Sequence, residues 1–275
     1  IILTLSLNIS LGFTGLINLG HIALFGIGAY SSTLLMMNLQ LPFIIALLCA
    51  GIITSLFGLL LVFATKRLKG DYFALATLGF SFVIYSLMLN LVSITRGPLG
   101  IPGIPKPSFF GVSITTTFSY LIFAIIITAI CAYIIYKIVH SPFGRLLQAA
   151  RDDEIGLRVL GKDTDLLKYK SMMLSAFFAA IAGSLFAHYI TFIDPTSFVL
   201  HEIILLLTMV IVGGIASFKG SIIAPFIIVL IPELLRFLSI PSTILGPMRQ
   251  IIYALILLII LYYKPRGLFG RVDLA

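Results

Sequence analysis

The sequence predicts an all-α, polytopic helical membrane protein of eight or nine spans, some of them broken by glycine. Three observations carry that reading. Hydrophobic residues are 60% of the 275 and charged residues only 10%, with a mean hydropathy of +1.17, outside the range of a water-soluble domain. The apolar runs approach about 20 residues, the length at which a helix crosses a ~30 Å hydrocarbon core. They do not alternate with period two, as the ~10-residue strands of a membrane barrel would. The net charge of +8 sits in short loops, where it sets orientation, and gives no sign of nucleic-acid binding. Trp is absent, so the interfacial belt rests on Tyr, for example Tyr72, Tyr120, Tyr136, Tyr262 and Tyr263.

Residues 1–11 are a short apolar segment. The chain opens inside that run without Met or a cleavage pattern, so residues are expected to precede Ile1. Residues 12–21 (GFTGLINLGH) interrupt it with three Gly, Thr14, Asn18 and His21, and residues 22–37 are apolar again. Backbone at membrane depth leaves the helix only where protein or a water-filled cavity satisfies its polar groups. Two readings fit this break. It lines or gates a pathway through Thr14, Gly15, Asn18, Gly20 and His21, or it is close helix packing through small residues. His21 alone reads as a hydrogen-bonded core histidine before it reads as a ligand. Residues 1–37 fit one broken crossing or two.

Residues 38–42 (NLQLP) make a turn, and 43–65 a full span, followed at once by Lys66, Arg67 and Lys69. Residues 72–94 form the next span. Residues 96–107 (RGPLGIPGIPKP) begin a rigid loop that runs to 117, and 118–139 span again. Residues 141–170 (SPFGRLLQAARDDEIGLRVLGKDTDLLKYK) are the only long charged stretch. Ser141-Pro142 reads as a helix start. Gly144 and Gly156 weaken the helix and Gly161 is placed to end it. Asp152 to Glu154 begin a second short helix, since acids favour a helix N-terminus. Two short helices outside the membrane are expected, either as a solvated loop or as a docking element for a soluble partner.

Residues 171–192 form the span that leaves this segment, and 194–202 carry no Lys or Arg. Residues 203–216 are a short run containing Gly213-Gly214. SFKGS (217–221) intervenes, and 222–238 follow, interrupted by Pro225 and Pro232. Residues 239–249 read as a loop with Pro241 and Pro247, 251–263 as the last span, and 264–271 (KPRGLFGR) as a basic tail. By the positive-inside rule the basic clusters and 141–170 face the cytoplasm, with 95–117 and 193–202 outside. There is an internal echo. The break at Gly12 precedes Lys66, and the break at Gly213 precedes Lys264, at nearly the same spacing. Two parallel half-repeats around a pathway are the expectation, with Gly213 and Gly214 the second gate.

Several chemistries are missing. No G-x-x-x-x-G-K-[ST] exists to cradle ATP phosphates. Cys49 and Cys131 lie in apolar runs without disulfide or metal spacing. No Ser/His/Asp set stands out. The spans are nearly free of charge, Glu233 and Arg236 being the chief exceptions. They sit at i and i+3, as a local ion pair near a helix end or as a gate. A pathway without charge suits a neutral or zwitterionic solute driven from elsewhere.

LGFTGLINLGHIALFGIGAY (11–30), RLKGDYFALATLGF (67–80), RGPLGIPGIP (96–105) and the stretch 144–187 resemble the LivM-type permease of branched-chain amino-acid ABC importers. DPTSF (194–198), VGGIASFKG (212–220) and KPRGLFG (264–270) extend the likeness over nearly the whole chain. The resemblance implies one transmembrane permease domain, 1–275, in the bacterial inner membrane. It implies a second, LivH-type permease, two ABC ATPase subunits and an external solute-binding protein as partners. It implies no cofactor in this chain and no enzyme activity of its own, since ATP and Mg are bound by the ATPase subunits. The family's coupling helix maps onto Arg145, Arg151, Asp152, Asp153, Glu154, Gly156, Arg158 and Gly161. The general importer pattern Glu-Ala-Ala-x-x-x-Gly is altered to Gln148-Ala149-Ala150, with Glu154 in place of its Gly. Members carry branched-chain amino acids and relatives carry urea or short amides. A second class of function remains, a stand-alone channel or secondary transporter; the charged segment and the scarcity of buried charge favour the importer subunit.

Overall fold

The computed structural model describes residues 1–68, 70–109, 112–114, 116–235, 242–264 and 266–270. At its centre is a short helix. α1 (Ile2–Asn8) runs into a π-helical turn (Ile9–Phe13), leaves the helix over 14–20, and resumes as α2 (His21–Leu39). Residues 4–14 are all buried. Ser6 lies 2.8 Å from His21, and Leu3 shares a cavity lining with Ile22 and Phe25, so the chain doubles back at the break. Residues 1–37 form two helices that meet at Ser6 and His21, with α1 packed chiefly on the later helix Thr164–Ile190.

α3 (Phe43–Thr65) has the bounds the apolar run predicted, with Pro42 immediately before its first turn. α4 (Asp71–Asn90) ends earlier than the predicted 94. Leu91 leaves the helix and a single turn, α5 (Val92–Thr95), follows. The Pro/Gly-rich loop then pairs Ile101–Pro102 antiparallel with Phe192–Ile193, which ties the two loops expected on the outer side to each other. α6 (Thr117–Val139) returns the chain to the charged segment, which forms α7 (Pro142–Asp152) and α8 (Glu154–Val159).

α9 (Thr164–Ile190) begins seven residues before the predicted 171. Asp163 caps it by accepting the Leu166 N–H at 3.0 Å, so Asp165, Lys168 and Lys170 lie on its first two turns rather than in a loop. A helix of 27 residues reaches about 40 Å, beyond the hydrocarbon core, so charge on its first turns costs little. α9 is the axis on which α2 and α3 pack. A Cβ on Gly28 would lie 2.2 Å from Ala180 Cα, and one on Gly183 2.1 Å from the Phe25 carbonyl oxygen. Such small-residue contacts replace the hydrophobic drive that lipid does not provide.

α10 (Leu200–Gly213), α11 (Phe218–Leu235) and α12 (Ser242–Tyr263) complete the chain. α12 starts nine residues before the predicted 251 and carries Pro247 within its second turn, where the expected loop is helix. The Glu233–Arg236 pair, Lys69 and Arg271 fall outside the described residues or side chains. Among the described residues, six helical segments are long and apolar enough to cross a membrane: α2, α3, α4, α6, α9 and Pro195–Gly213. Three shorter apolar helices join them, Ile2–Phe13, Phe218–Leu230 and Gln250–Ile260. The protein is a multi-pass, all-α membrane protein.

Candidate functional site

The first break releases backbone groups from helical bonding, and several of them meet new partners. Leu16 N–H reaches back to the Ser10 carbonyl at 2.8 Å, and Thr14 Oγ1 donates to the Ile9 carbonyl at 2.9 Å. Thr14 also bonds Ser171 of α9, while Ser175 of α9 donates to the Ser6 carbonyl at 2.7 Å. Thr77 of α4 accepts the Leu19 N–H at 3.0 Å, and Asn18 Oδ1 accepts that of Gly20 at 2.9 Å. This is the internal satisfaction that non-helical backbone at membrane depth requires. Gly15 stands at φ +75°, a left-handed conformation open to Gly.

Asn18 and His21 form one network with Ser6. The Ser6 hydroxyl donates to the Leu3 carbonyl at 2.8 Å, so it accepts from His21 Nε2. That assigns the proton to Nε2 and leaves Nδ1 to accept from Asn18 Nδ2 at 3.5 Å. His21 is fully buried, and both ring nitrogens are used. Such burial and bonding fit a hydrogen-bonded core histidine.

The second break follows the same plan. α10 ends at Gly213, Gly214 takes φ +104° and Ala216 φ +57°, and Ser217 caps α11 by accepting the Gly220 N–H at 3.1 Å. Gly213 and Gly220 bring α10 and α11 into backbone contact, since a Cβ on Gly220 would lie 1.8 Å from the Gly213 carbonyl oxygen. The tail closes over it: Leu268 and Phe269 N–H groups donate to the Val212 and Gly213 carbonyls at 2.9 and 3.1 Å. Beside the first break, Leu68 and Gly70 of the turn after α3 and Phe73 of α4 line a cavity with Thr14, Gly15, Leu16 and Ile17.

The two breaks touch. Asn8 of α1 accepts the Ala216 N–H at 3.1 Å and donates to the Ser217 carbonyl and the Ser221 hydroxyl at 3.2 and 2.6 Å. A Cβ on Gly12 would lie 2.5 Å from Ala216 N.

The charged segment reaches the same place. On α7, Gly144, Leu147 and Ala150 are buried and Arg145 and Asp152 face out. Ser141 caps α7 and Asp153 caps α8, accepting the Gly156 N–H at 2.9 Å, while Gly161 at φ +75° follows the end of α8. Glu154 accepts from Lys168 at 2.7 Å, Arg158 at 2.8 Å and Thr164 at 3.3 Å. Partial burial raises its pKa, but the hydrogen bond and charge of Lys168, then Arg158 and Thr164, outweigh it and hold the carboxyl below its ordinary value. Arg151 turns inward, its side chain 14% exposed, and donates to the Gly12 carbonyl at 2.6 Å. A cavity of about 150 Å³ beside it is lined by Thr14, Gly15, Glu154 and Lys168 among others. Ile155, Val159 and Leu160 stand 72%, 82% and 76% exposed on and just after α8, an apolar patch rimmed by Asp152, Asp153 and Arg158.

A family model described as the permease component of the branched-chain amino acid transport system matches residues 1–261. The chain belongs to that family. The permease is 34% identical to the high-affinity branched-chain amino acid transport system permease protein LivM of Escherichia coli K12, over 98% of this chain and 67% of that protein. A probable branched-chain amino acid transport permease protein LivM of Methanocaldococcus jannaschii is 27% identical over 82% of this chain and 67% of its own. The autoinducer 2 import system permease protein LsrC of Salmonella typhimurium is 27% identical over 72% of this chain and 56% of its own. No solved structure matches the chain.

Sequence reasoning placed the two breaks and the charged segment of this permease, and the structure brings all three together. It missed Asn8, Ser6, Ser171 and Ser175, which join them. The available signal was small polar side chains inside apolar runs, which hydrocarbon does not tolerate without partners. It also missed the Ile155/Val159/Leu160 patch, because residue type alone does not tell an exposed apolar side chain from a buried one.

Proposed function

We propose that this permease component is one membrane subunit of an ATP-driven importer of branched-chain amino acids in the bacterial inner membrane. Its partners on this reading are a second LivH-type permease, two ABC ATPase subunits, which bind the ATP and Mg, and an external solute-binding protein. α7 and α8 form the cytoplasmic docking element within a single permease domain. The observation that carries this is the patch of Ile155, Val159 and Leu160, exposed at the end of the molecule where the basic turns lie and rimmed by charge. An apolar centre with a polar, charged rim is the anatomy of a protein interface. The two breaks form the inner end of the route, with Thr14, Gly15, Asn18, Gly20, His21, Gly213 and Gly214 around it, and the three shorter apolar helices bring the crossings to nine. The shared order of helix, break, helix, span and basic turn supports two parallel half-repeats.

The test is purification of the tagged permease from its native membrane, followed by reconstitution with leucine and binding protein. Co-purification of a P-loop ATPase and ATP-dependent leucine uptake are expected. Leucine flux through the permease alone, independent of ATP, would replace this reading with a channel or secondary transporter.

A further inference from the structure

We infer that Arg151 is the positioning residue that ties the docking segment to the breaks. Its guanidinium bridges two environments. On the outer side Nε and Nη2 hold Asp152 at 2.9 and 2.8 Å, and that carboxylate is 63% exposed on the docking surface. On the inner side Nη1 holds the carbonyl of Gly12 at 2.6 Å, at the end of the π-helical turn. Gly12 lies against Ala216 N, so the carbonyl that Arg151 grips belongs to the residue at which the first break meets the second. The methylenes of Arg151 rest on Gly15, where a Cβ would come 2.8 Å from Arg151 Cγ. A planar fork with five donors can hold an acid and a carbonyl at once, and an ammonium cannot do so in the same geometry.

This arrangement does more than fill a carbonyl's valence. The donor comes from 139 residues away, on the element that presents itself to a soluble partner. The cavity of about 150 Å³ next to it gives the side chain room to leave Gly12 without moving backbone. A displacement of α7, or a partner cation that takes Asp152, therefore changes the grip on Gly12 directly, and through Asn8 and Ala216 it reaches the second break. The role is transmission: docking on one side, the breaks on the other.

The inference rests on the importer reading above, and the experiment separates the two. The complete complex, with both permeases, ATPases and binding protein, is assayed in proteoliposomes for leucine imported per ATP hydrolysed. Arg151→Gln removes the cation, and Asp152→Asn removes the charge of the exposed carboxylate that the same guanidinium holds. Each is expected to lower the ratio about tenfold, the effect of one lost charge-assisted hydrogen bond, while hydrolysis stimulated by binding protein persists. Because both act on one contact, the double variant is expected to be no worse than either alone. A wild-type ratio in the single variants overturns the inference. So does a parallel loss of hydrolysis and uptake, which a merely structural role predicts, or a double variant in which the two losses multiply. Should Arg151→Gln not assemble, Arg151→Lys, which keeps the charge and loses the fork, carries the test: a lowered ratio is expected, and a wild-type ratio overturns the inference. A wild-type complex that imports no leucine sinks the importer reading itself, a failure seen before any variant is compared.

Discussion

Asp152, Asp153 and Glu154 are adjacent and carry the same charge, yet each has a different task. Asp152 is exposed and holds Arg151, Asp153 caps α8, and Glu154 gathers Arg158, Lys168 and Thr164 into the start of α9. Reversing all three together would therefore mix docking with local folding, and Asp152 is the one whose change reads docking. Glu154 makes a pH prediction. Its folded pKa lies below the unfolded value of about 4.3, so its stabilisation is complete above that value and is lost as pH falls through the lowered one. Limited proteolysis within 155–162 should accelerate as the purified permease is acidified, and Glu154→Gln should cleave fast with a flatter pH profile. A wild-type segment that resists equally over about pH 3 to 6 would remove Glu154 from that role. The residue types of this segment were legible in the sequence, and their partners were not. The partner of Arg151 is a backbone carbonyl 139 residues away, and a backbone atom leaves no signature in the sequence.

Among the elements, legibility followed chemistry. α3 was read at its full extent because Pro42 and Lys66 punctuate a run without charge. The starts of α9 and α12 were misread because charge and proline were taken as loop, although α9 takes Asp165 in its first turn and α12 carries Pro247 in its second. The π-helical turn at Ile9–Phe13 has no residue signature. Its widened ladder is what frees carbonyls for Thr14 and Arg151. The small-residue contacts separate pathway from packing at this scale. Gly220→Ala places a methyl onto the Gly213 carbonyl oxygen, a backbone atom of the paired helix. Overpacking of that kind costs about 1–3 kcal/mol, so the variant should melt several degrees lower in detergent. Gly79→Ala, on a face of α4 with nothing within 4 Å, is the control and should melt no lower than the wild type. Equal melting of the two variants would show that α10 and α11 do not meet through Gly213 and Gly220.

At the scale of the whole molecule, orientation follows from two ends held far apart by α6. At one end the loops around Ile101 and Ile193 are tied in a two-residue antiparallel ladder. At the other, α7 and α8 lie with the basic turns. α6 joins them with 23 residues, about 35 Å of helix, enough for one full crossing. Positive charge is retained on the cytoplasmic side during insertion, so 141–170 is expected inside. Leu99, 80% exposed, is the position to label in the outer loop, since Gly103 at φ +71° would strain a cysteine. Lys162, exposed after α8, is its counterpart. Leu99→Cys should react with an impermeant thiol reagent in intact cells, and Lys162→Cys only after permeabilisation, in a background where Cys49 and Cys131 are replaced. The reversed pattern would invert the protein and put the docking patch outside, beyond reach of any ATPase. Labelling of both from one side would mean that α6 does not cross, and then Arg151 would not lie at the membrane face opposite the solute.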